Sequence, residues 1–294
     1  MFELLVLAIA PALFILWYVY RKDCYEPEPL GMVVRAFLLG ALMVIPAAVI
    51  EYPFPSDLIT SSVVAPVVEE LLKFSVVFFF VYRLPEFNEP VDGIVYAAAA
   101  GLGFAALENI FYVLEGGIAV GIFRAVASVP GHMIFSCSWG FALGIARFRP
   151  EPARRGIIAA GLAGGILLHG IFNFSLEYFE AAGLLFILFL LIPVGWWFTR
   201  RNIRTAQADP ASAFSLLQKS SCNGTGIPII WDPGILAGPP PALPQLSVPN
   251  NQKNSGSTDQ NQNQNQRNTA HYCTNCGTPF VDGSGFCVHC GKEQ

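Results

Sequence analysis

The sequence predicts an all-α polytopic membrane protein of about seven transmembrane helices, followed by a disordered linker and a small zinc-ribbon module. Three observations lead there. Of the 294 residues 53% are hydrophobic and only 13% charged, and the mean hydropathy is +0.50 although the last third of the chain is polar. Apolar runs of bilayer-spanning length, about 20 residues, recur along the first two thirds. Four cysteines in two C-x2-C pairs close the chain. The net charge of −4 says little, because the layout of the charges matters more. A nucleic-acid partner is not expected.

Taken in order, the apolar runs are Phe2 to Tyr20, Gly31 to Ile50, Leu58 to Tyr82, Ile94 to Leu114, Ile118 to Ala146, Gly156 to Tyr178 and Ala181 to Thr199. The first resembles a signal peptide in length alone. It has Glu3 where a basic region would stand, no lysine or arginine before Arg21, and no small-residue cleavage site, so it reads as a retained helix. Its basic end, Arg21 and Lys22, then faces the cytoplasm. The later loops alternate without conflict, with Arg83, the group Arg147, Arg149, Arg154 and Arg155, and finally Arg200, Arg201 and Arg204 inside. A multi-pass protein of the cell membrane follows, amino terminus outside and carboxyl terminus cytoplasmic. Trp196 and Trp197 suit an interfacial aromatic belt.

Residues 1–204 thus form the membrane domain. Residues 205–270, rich in Pro, Gly, Ser, Asn and Gln, cannot bury enough apolar surface to offset the entropy of ordering, and read as a disordered linker. Residues 271–294 carry Cys273, Cys276, Cys287 and Cys290. Two C-x2-C turns aim four thiolates at one ion and complete a tetrahedral structural zinc site, whose binding supplies folding energy that so short a segment lacks. Two disulfides would need an oxidising compartment, which the topology denies. An unknown cytoplasmic protein partner is the expected ligand of such a ribbon.

Charge inside the bilayer is costly and is usually paired and functional. Glu69, Glu70 and Lys73 interrupt the third run. Glu108 with Tyr112, His132 with Ser136, and His169 with Asn173 interrupt later ones, each partner four residues on and therefore on the same helix face. At about 1.5 Å of rise per residue from the outer ends, the glutamate pair lies roughly 17 Å deep, Glu108 about 9 Å, His132 about 20 Å and His169 about 12 Å. That spread allows one shared cavity in the outer half of the bilayer. Pro66 and Pro130, each just ahead of polar groups, are expected to break or restart their helices and to turn a helix amino terminus toward the site. Lys73 reads as a counter-ion, and Tyr112, Ser136 and Asn173 as supporting partners. Asp92 reads as an N-cap. The spacings Gly140 with Gly144 and Gly161 with Gly165 are those of closely packed membrane helices.

The segments Glu69-Glu70-Leu71-Leu72-Lys73, Asp92 to Tyr96 leading to Gly103 to Asn109, Pro130-Gly131-His132 with Ser136, and His169 to Asn173 resemble the PrsW family of polytopic membrane proteases. That family is similar to the CAAX prenyl proteases and their bacteriocin-immunity relatives. The resemblance runs from about Tyr18 to Thr199 and leaves out linker and ribbon. It implies a helical intramembrane peptidase, with an anti-sigma-factor-like membrane protein as a substrate class.

The residues suffice for peptide hydrolysis. A carboxylate can take a proton from water, and a second carboxylate or a histidine can protonate the leaving amine. The candidate catalytic residues are Glu69, Glu70, Glu108, His132 and His169, with Glu69 or Glu70 as general base and the histidines placing water or stabilising the oxyanion. The same groups could ligate a catalytic zinc; no HExxH is present, and the sequence leaves metal and metal-free mechanisms open. Two other readings use the same features: a proton-coupled transporter, although no internal repeat is evident, and a non-catalytic scaffold or receptor that signals through the ribbon.

Overall fold

A computed structural model describes residues 2–23, 26–212, 271–272 and 279–280. The chain divides into two units, Met1–Ile230 and Trp231–Gln294. In the first, every described regular element is helical: α1 Phe2–Tyr20, α2 Leu30–Leu42, α3 Val44–Glu51, α4 Ala65–Phe80, α5 Asp92–Phe123, α6 Val129–Arg147, α7 Ala153–Phe186 and α8 Ile192–Gln207. Four continuous stretches are long and apolar enough to cross a bilayer: Glu3–Tyr20, Leu30–Glu51, Asp92–Arg147 and Ala153–Gln207. The stretch containing α4 falls outside that set because Glu69, Glu70 and Lys73 sit in its middle.

Two of the four stretches reverse on themselves. Gly117 takes φ 69°, ψ −159° inside α5, and Glu180 takes φ 47°, ψ −115° inside α7. In a straight helix Glu108 and Arg124 would stand about 24 Å apart, yet Arg124 Nη2 donates to Glu108 Oε2 at 2.6 Å. Gly183 likewise lies against the Ser175 backbone. The left-handed region at Gly117 costs a glycine little, whereas Glu180 accepts strain there.

The prolines act differently from the sequence expectation. Pro66, Pro130 and Pro193 lie at the first positions of α4, α6 and α8, and each follows a π-helical turn, Thr60–Val64, Arg124–Ser128 and Ile187–Leu191. Proline lacks the N–H that an ordinary turn needs and crowds the carbonyl four residues back; widening the helix by one residue relieves both conflicts. The helices therefore continue through the prolines, and no free amino-terminal dipole meets the polar groups.

The limb of α5 from residue 92 to Gly117 is the centre of the bundle. Ile94 to Ala100 are completely buried, and α1, α2, α4 and α6 surround them. The approach is closest where glycines face each other: a Cβ on Gly93 would stand 2.7 Å from Gly144 N and closer still to Gly140 O. Dispersion gained by such close backbones is what holds helices together where lipid is as apolar as the side chains. On the outside the pattern inverts, with Phe14, Val49, Phe79, Leu167 and Phe189 exposed, as a lipid-facing surface requires.

The alternating directions gather residues 52–59, Gly117 and Glu180 at one end of the bundle, where a Ser61 hydroxyl donates to Glu177. Residues 21–23, 26–29, 81–91 and 148–152 gather at the other, where Gln207 donates to the Lys22 carbonyl and Arg149 pairs with Asp209 at 2.6 Å.

In the second unit, β1 His271–Tyr272 and β2 Pro279–Phe280 pair antiparallel, with His271 opposite Phe280 and Tyr272 opposite Pro279. The four cysteines expected to form a zinc ribbon, Cys273, Cys276, Cys287 and Cys290, lie outside the described residues, as does nearly all of the expected linker.

Candidate active site

Four helices bring Glu69, Glu70, Glu108, His132 and His169 into one cluster. On α4 the spacing of Glu69 and Glu70 to Lys73 puts both carboxylates within reach of one ammonium: Lys73 Nζ donates to Glu69 Oε2 at 2.8 Å and to Glu70 Oε1 at 3.0 Å. The same Nζ stands 2.9 Å from His132 Nδ1, reached from α6, and 4.1 Å from the centre of the Phe104 ring. The far side of the His132 ring meets α5, with Nε2 3.0 Å from Glu108 Oε2. His169 comes from α7, its Nδ1 3.1 Å from Glu70 Oε1. The two imidazoles meet edge to face at 5.2 Å, and the Phe135 ring stacks on His169 at 4.8 Å. The groups thus meet by direct contact, not around an open cavity.

The two glutamates of α4 are not equivalent. Glu70 is completely buried and accepts bonds from Lys73, from Trp139 Nε1 at 2.9 Å and from Ser136 Oγ at 3.4 Å, besides its contact with His169. Glu69 keeps a 9% exposed side chain, and among the described residues only Lys73 engages it. Glu108 is the most open carboxylate of the group at 16%.

Several partners lie elsewhere than the spacing suggested. Ser136 does reach Glu70, but Asn173 donates to the Ser61 carbonyl at 2.8 Å and so ties α7 to the turn before α4. Tyr112 lies under the Arg124 guanidinium, 4.0 Å from it. Asp92 does not cap α5. Its Oδ2 accepts the amides of Asn88 and Glu89, both at 2.7 Å, and so closes the turn before the helix. Two residues absent from the sequence reading belong to the site's surroundings, Trp139 and Arg124; the latter pairs with Glu108 and donates through Nε to Oδ1 of Asn109, the last residue of the Gly103 to Asn109 segment.

Glu69, His132 and His169 each present a ligand atom, all within 4.8 Å of one another and all in buried side chains. One carboxylate and two imidazoles are a donor set that zinc takes in hydrolases. Each histidine also has a carboxylate on one ring nitrogen, Glu108 for His132 and Glu70 for His169, the arrangement that orients metal-binding imidazoles.

A family profile described as PrsW family intramembrane metalloprotease matches residues 28–198. Curated relatives named Protease PrsW include that of Geobacillus kaustophilus, 40% identical over 213 residues, which is 70% of this chain and 93% of that protein. The Oceanobacillus iheyensis protein is 37% identical over 198 residues, 65% of this chain and 91% of its own length. The Bacillus subtilis protein is 36% identical over 217 residues, 71% and 97% respectively. No solved structure matches the chain.

Proposed function

The chain belongs to the PrsW family of intramembrane metalloproteases, and from that premise we propose that Glu69, His132 and His169 form its hydrolytic centre, supported by Glu70, Lys73 and Glu108. It is a membrane protease that acts on a membrane-protein substrate within the bilayer; the transporter and scaffold readings are not favoured. The observation that carries the assignment is the convergence of the three ligand atoms from α4, α6 and α7.

Glu69 is the group with an oxygen to spare, so it takes the proton of the attacking water or holds that water in place. His169, oriented through Nδ1 by Glu70, meets the carbonyl oxygen with its other nitrogen as charge develops there, while His132, held between Glu108 and Lys73, keeps the ammonium and its carboxylates in register. Glu69, having taken the water proton, hands it on to the leaving amine, while Glu108, balanced by Arg124, stays a carboxylate and holds the His132 ring. Glu69, His132 and His169 are also the residues that would hold a zinc ion, which when bound lowers the pKa of its water and polarises the scissile carbonyl. We expect the full-length chain with Cys273, Cys276, Cys287 and Cys290 replaced by serine to retain about one equivalent of zinc, lost on His169→Ala. Elemental analysis that finds active, metal-free protein after those cysteine changes would leave the carboxylate mechanism alone.

The reversals support a seven-pass arrangement. Asp92–Arg147 and Ala153–Gln207 each cross twice, and the segments led by α1, α2 and α4 cross once. The end that carries Arg21, Lys22, Arg83 and Arg147 to Arg155 then faces the cytoplasm and the reversals face outward. The C-x2-C spacings, with β1 and β2 bracketing the first of them, support a zinc ribbon on a linker of some sixty residues, whose average span would be about 40 to 50 Å. Such a module recruits a cytoplasmic partner and takes no part in the chemistry. Deleting everything after Ser212, which keeps α8 and the Arg149–Asp209 pair, is therefore expected to leave turnover of a supplied peptide within about twofold of the intact chain, judged against a change of tenfold or more that would implicate the tail. An anti-sigma-factor-like protein is the substrate class this reading carries forward, to be tested by finding which membrane protein accumulates uncleaved without the enzyme.

A further inference from the structure

Asp23, Glu28 and Asp92 meet at the end of the bundle opposite the reversals, where the loop between α1 and α2 folds over the start of α5. Each offers a carboxylate oxygen, these oxygens lie within 4.8 Å of one another, and all three residues are buried. The cluster is separate from the hydrolytic centre: Asp92 and Glu108 lie sixteen residues apart on α5, about 24 Å along its axis.

Crowded acids alone would not define a site, but the unused atoms do. Asp23 is 3% exposed, and among the described residues neither of its carboxylate oxygens accepts a well-formed hydrogen bond; the amides of Glu26 and Glu28 lie near enough only to favour its charge weakly. Asp92 is 0% exposed; its Oδ2 is engaged by two amides, and among the described residues its Oδ1 meets no N–H or hydroxyl, only the neighbouring Glu28 carboxyl. Glu28 is held in place by the Tyr96 hydroxyl, and the Tyr20 hydroxyl donates to its backbone carbonyl at 3.1 Å. Among the described residues no lysine or arginine pairs with any of the three. Bare carboxylate oxygens in a buried pocket cost several kcal/mol unless something positive meets them. Burial, then the charges of Glu28 and Glu89, pushes the Asp23 carboxyl up to about 8, and burial pushes Glu28 up to about 7. A depression of about 260 Å³, lined by Glu26, Glu28 and Glu86, adjoins the cluster at Glu28 and is itself acidic.

We propose that Asp23, Glu28 and Asp92 bind a hard divalent cation of the Mg²⁺, Ca²⁺ or Mn²⁺ class, which pins the loop between α1 and α2 to the first turn of α5. The donors are all oxygen, with no histidine or cysteine among them, which selects against zinc and copper and for cations that prefer carboxylates. The occupant that competes with the cation is a set of protons shared between the acids.

The test uses the full-length chain in detergent, kept in Zn²⁺ so that thiolate and imidazole sites are filled, and titrated with Mn²⁺ followed by electron paramagnetic resonance. One Mn²⁺ should bind wild type and Glu69→Gln alike, be displaced by Mg²⁺ or Ca²⁺, and bind at least about tenfold more weakly to Asp23→Asn and Asp92→Asn. Should the asparagine variants fail to fold, Tb³⁺ luminescence decides. Emission excited through tyrosine should appear in wild type, be quenched by added Ca²⁺, and fall in Tyr96→Phe while Mn²⁺ binding persists. Equal Mn²⁺ binding by wild type and the asparagine variants overturns the proposal. So does a wild type that binds no Mn²⁺ and shows protonated carboxyl bands in the infrared at neutral pH.

Discussion

Replacement of Glu69 by glutamine is expected to lower kcat by about 10²- to 10⁴-fold, the range spanned by loss of a general base, while the protein folds and inserts as before. Glutamine keeps an oxygen that can accept the Lys73 bond but cannot take a proton from water. The side chain is partly open and has a single partner among the described residues, so the change disturbs little else. The measurement is single-turnover cleavage of a membrane-anchored peptide, with thermal unfolding in detergent as the control. A variant that cleaves at the wild-type rate removes Glu69 from the chemistry. If zinc is held there, the same variant also loses metal, which separates a ligand from a base.

Glu70→Ala should fail in another way. Glu70 is completely buried and is met by Lys73, Trp139, Ser136 and His169, so its removal strands a buried ammonium and an indole N–H. Breaking a buried pair by deleting one partner costs about 3 to 5 kcal/mol, a large share of the stability of an ordinary domain. We expect a markedly lower unfolding midpoint together with lost activity. The double variant Glu70→Ala, Lys73→Met should recover much of the stability and none of the activity. An unchanged midpoint in Glu70→Ala would show that Glu70 is not the structural keystone its contacts describe.

The polar cluster was legible because charge on an apolar run is rare enough to mark. Four residues of spacing also place Glu69 with Lys73 and His132 with Ser136 on common faces. Nothing in that periodicity separates Glu69 from Glu70. The distinction lies in Trp139 and His169, contributed by other helices, and a tryptophan in an apolar run reads as packing. Arg124 escaped notice for a related reason: near the end of a run an arginine ordinarily extends toward water, and only the reversal at Gly117 turns it inward onto Glu108. The prolines announced a disturbance, but local sequence does not distinguish a widened turn from a broken helix, since the outcome depends on whether neighbouring helices keep the chain straight. Asp92 likewise carries the signature of a cap, and what it does depends on the loop from Asp23 to Glu28, some seventy residues earlier in the chain.

The reversal at Gly117 also bears on biogenesis. If Asp92–Arg147 crosses twice as proposed, a single residue out of helical geometry between the two limbs leaves no loop to separate them, and they would enter the lipid together as a wedge. Glu108 on one limb and Arg124 on the other are joined at 2.6 Å, so the wedge carries its acid and its base across the headgroups as a neutral dipole. Either charge alone would cost several kcal/mol at that depth. The contact that shapes the site in the finished protein also lowers the barrier to putting it there.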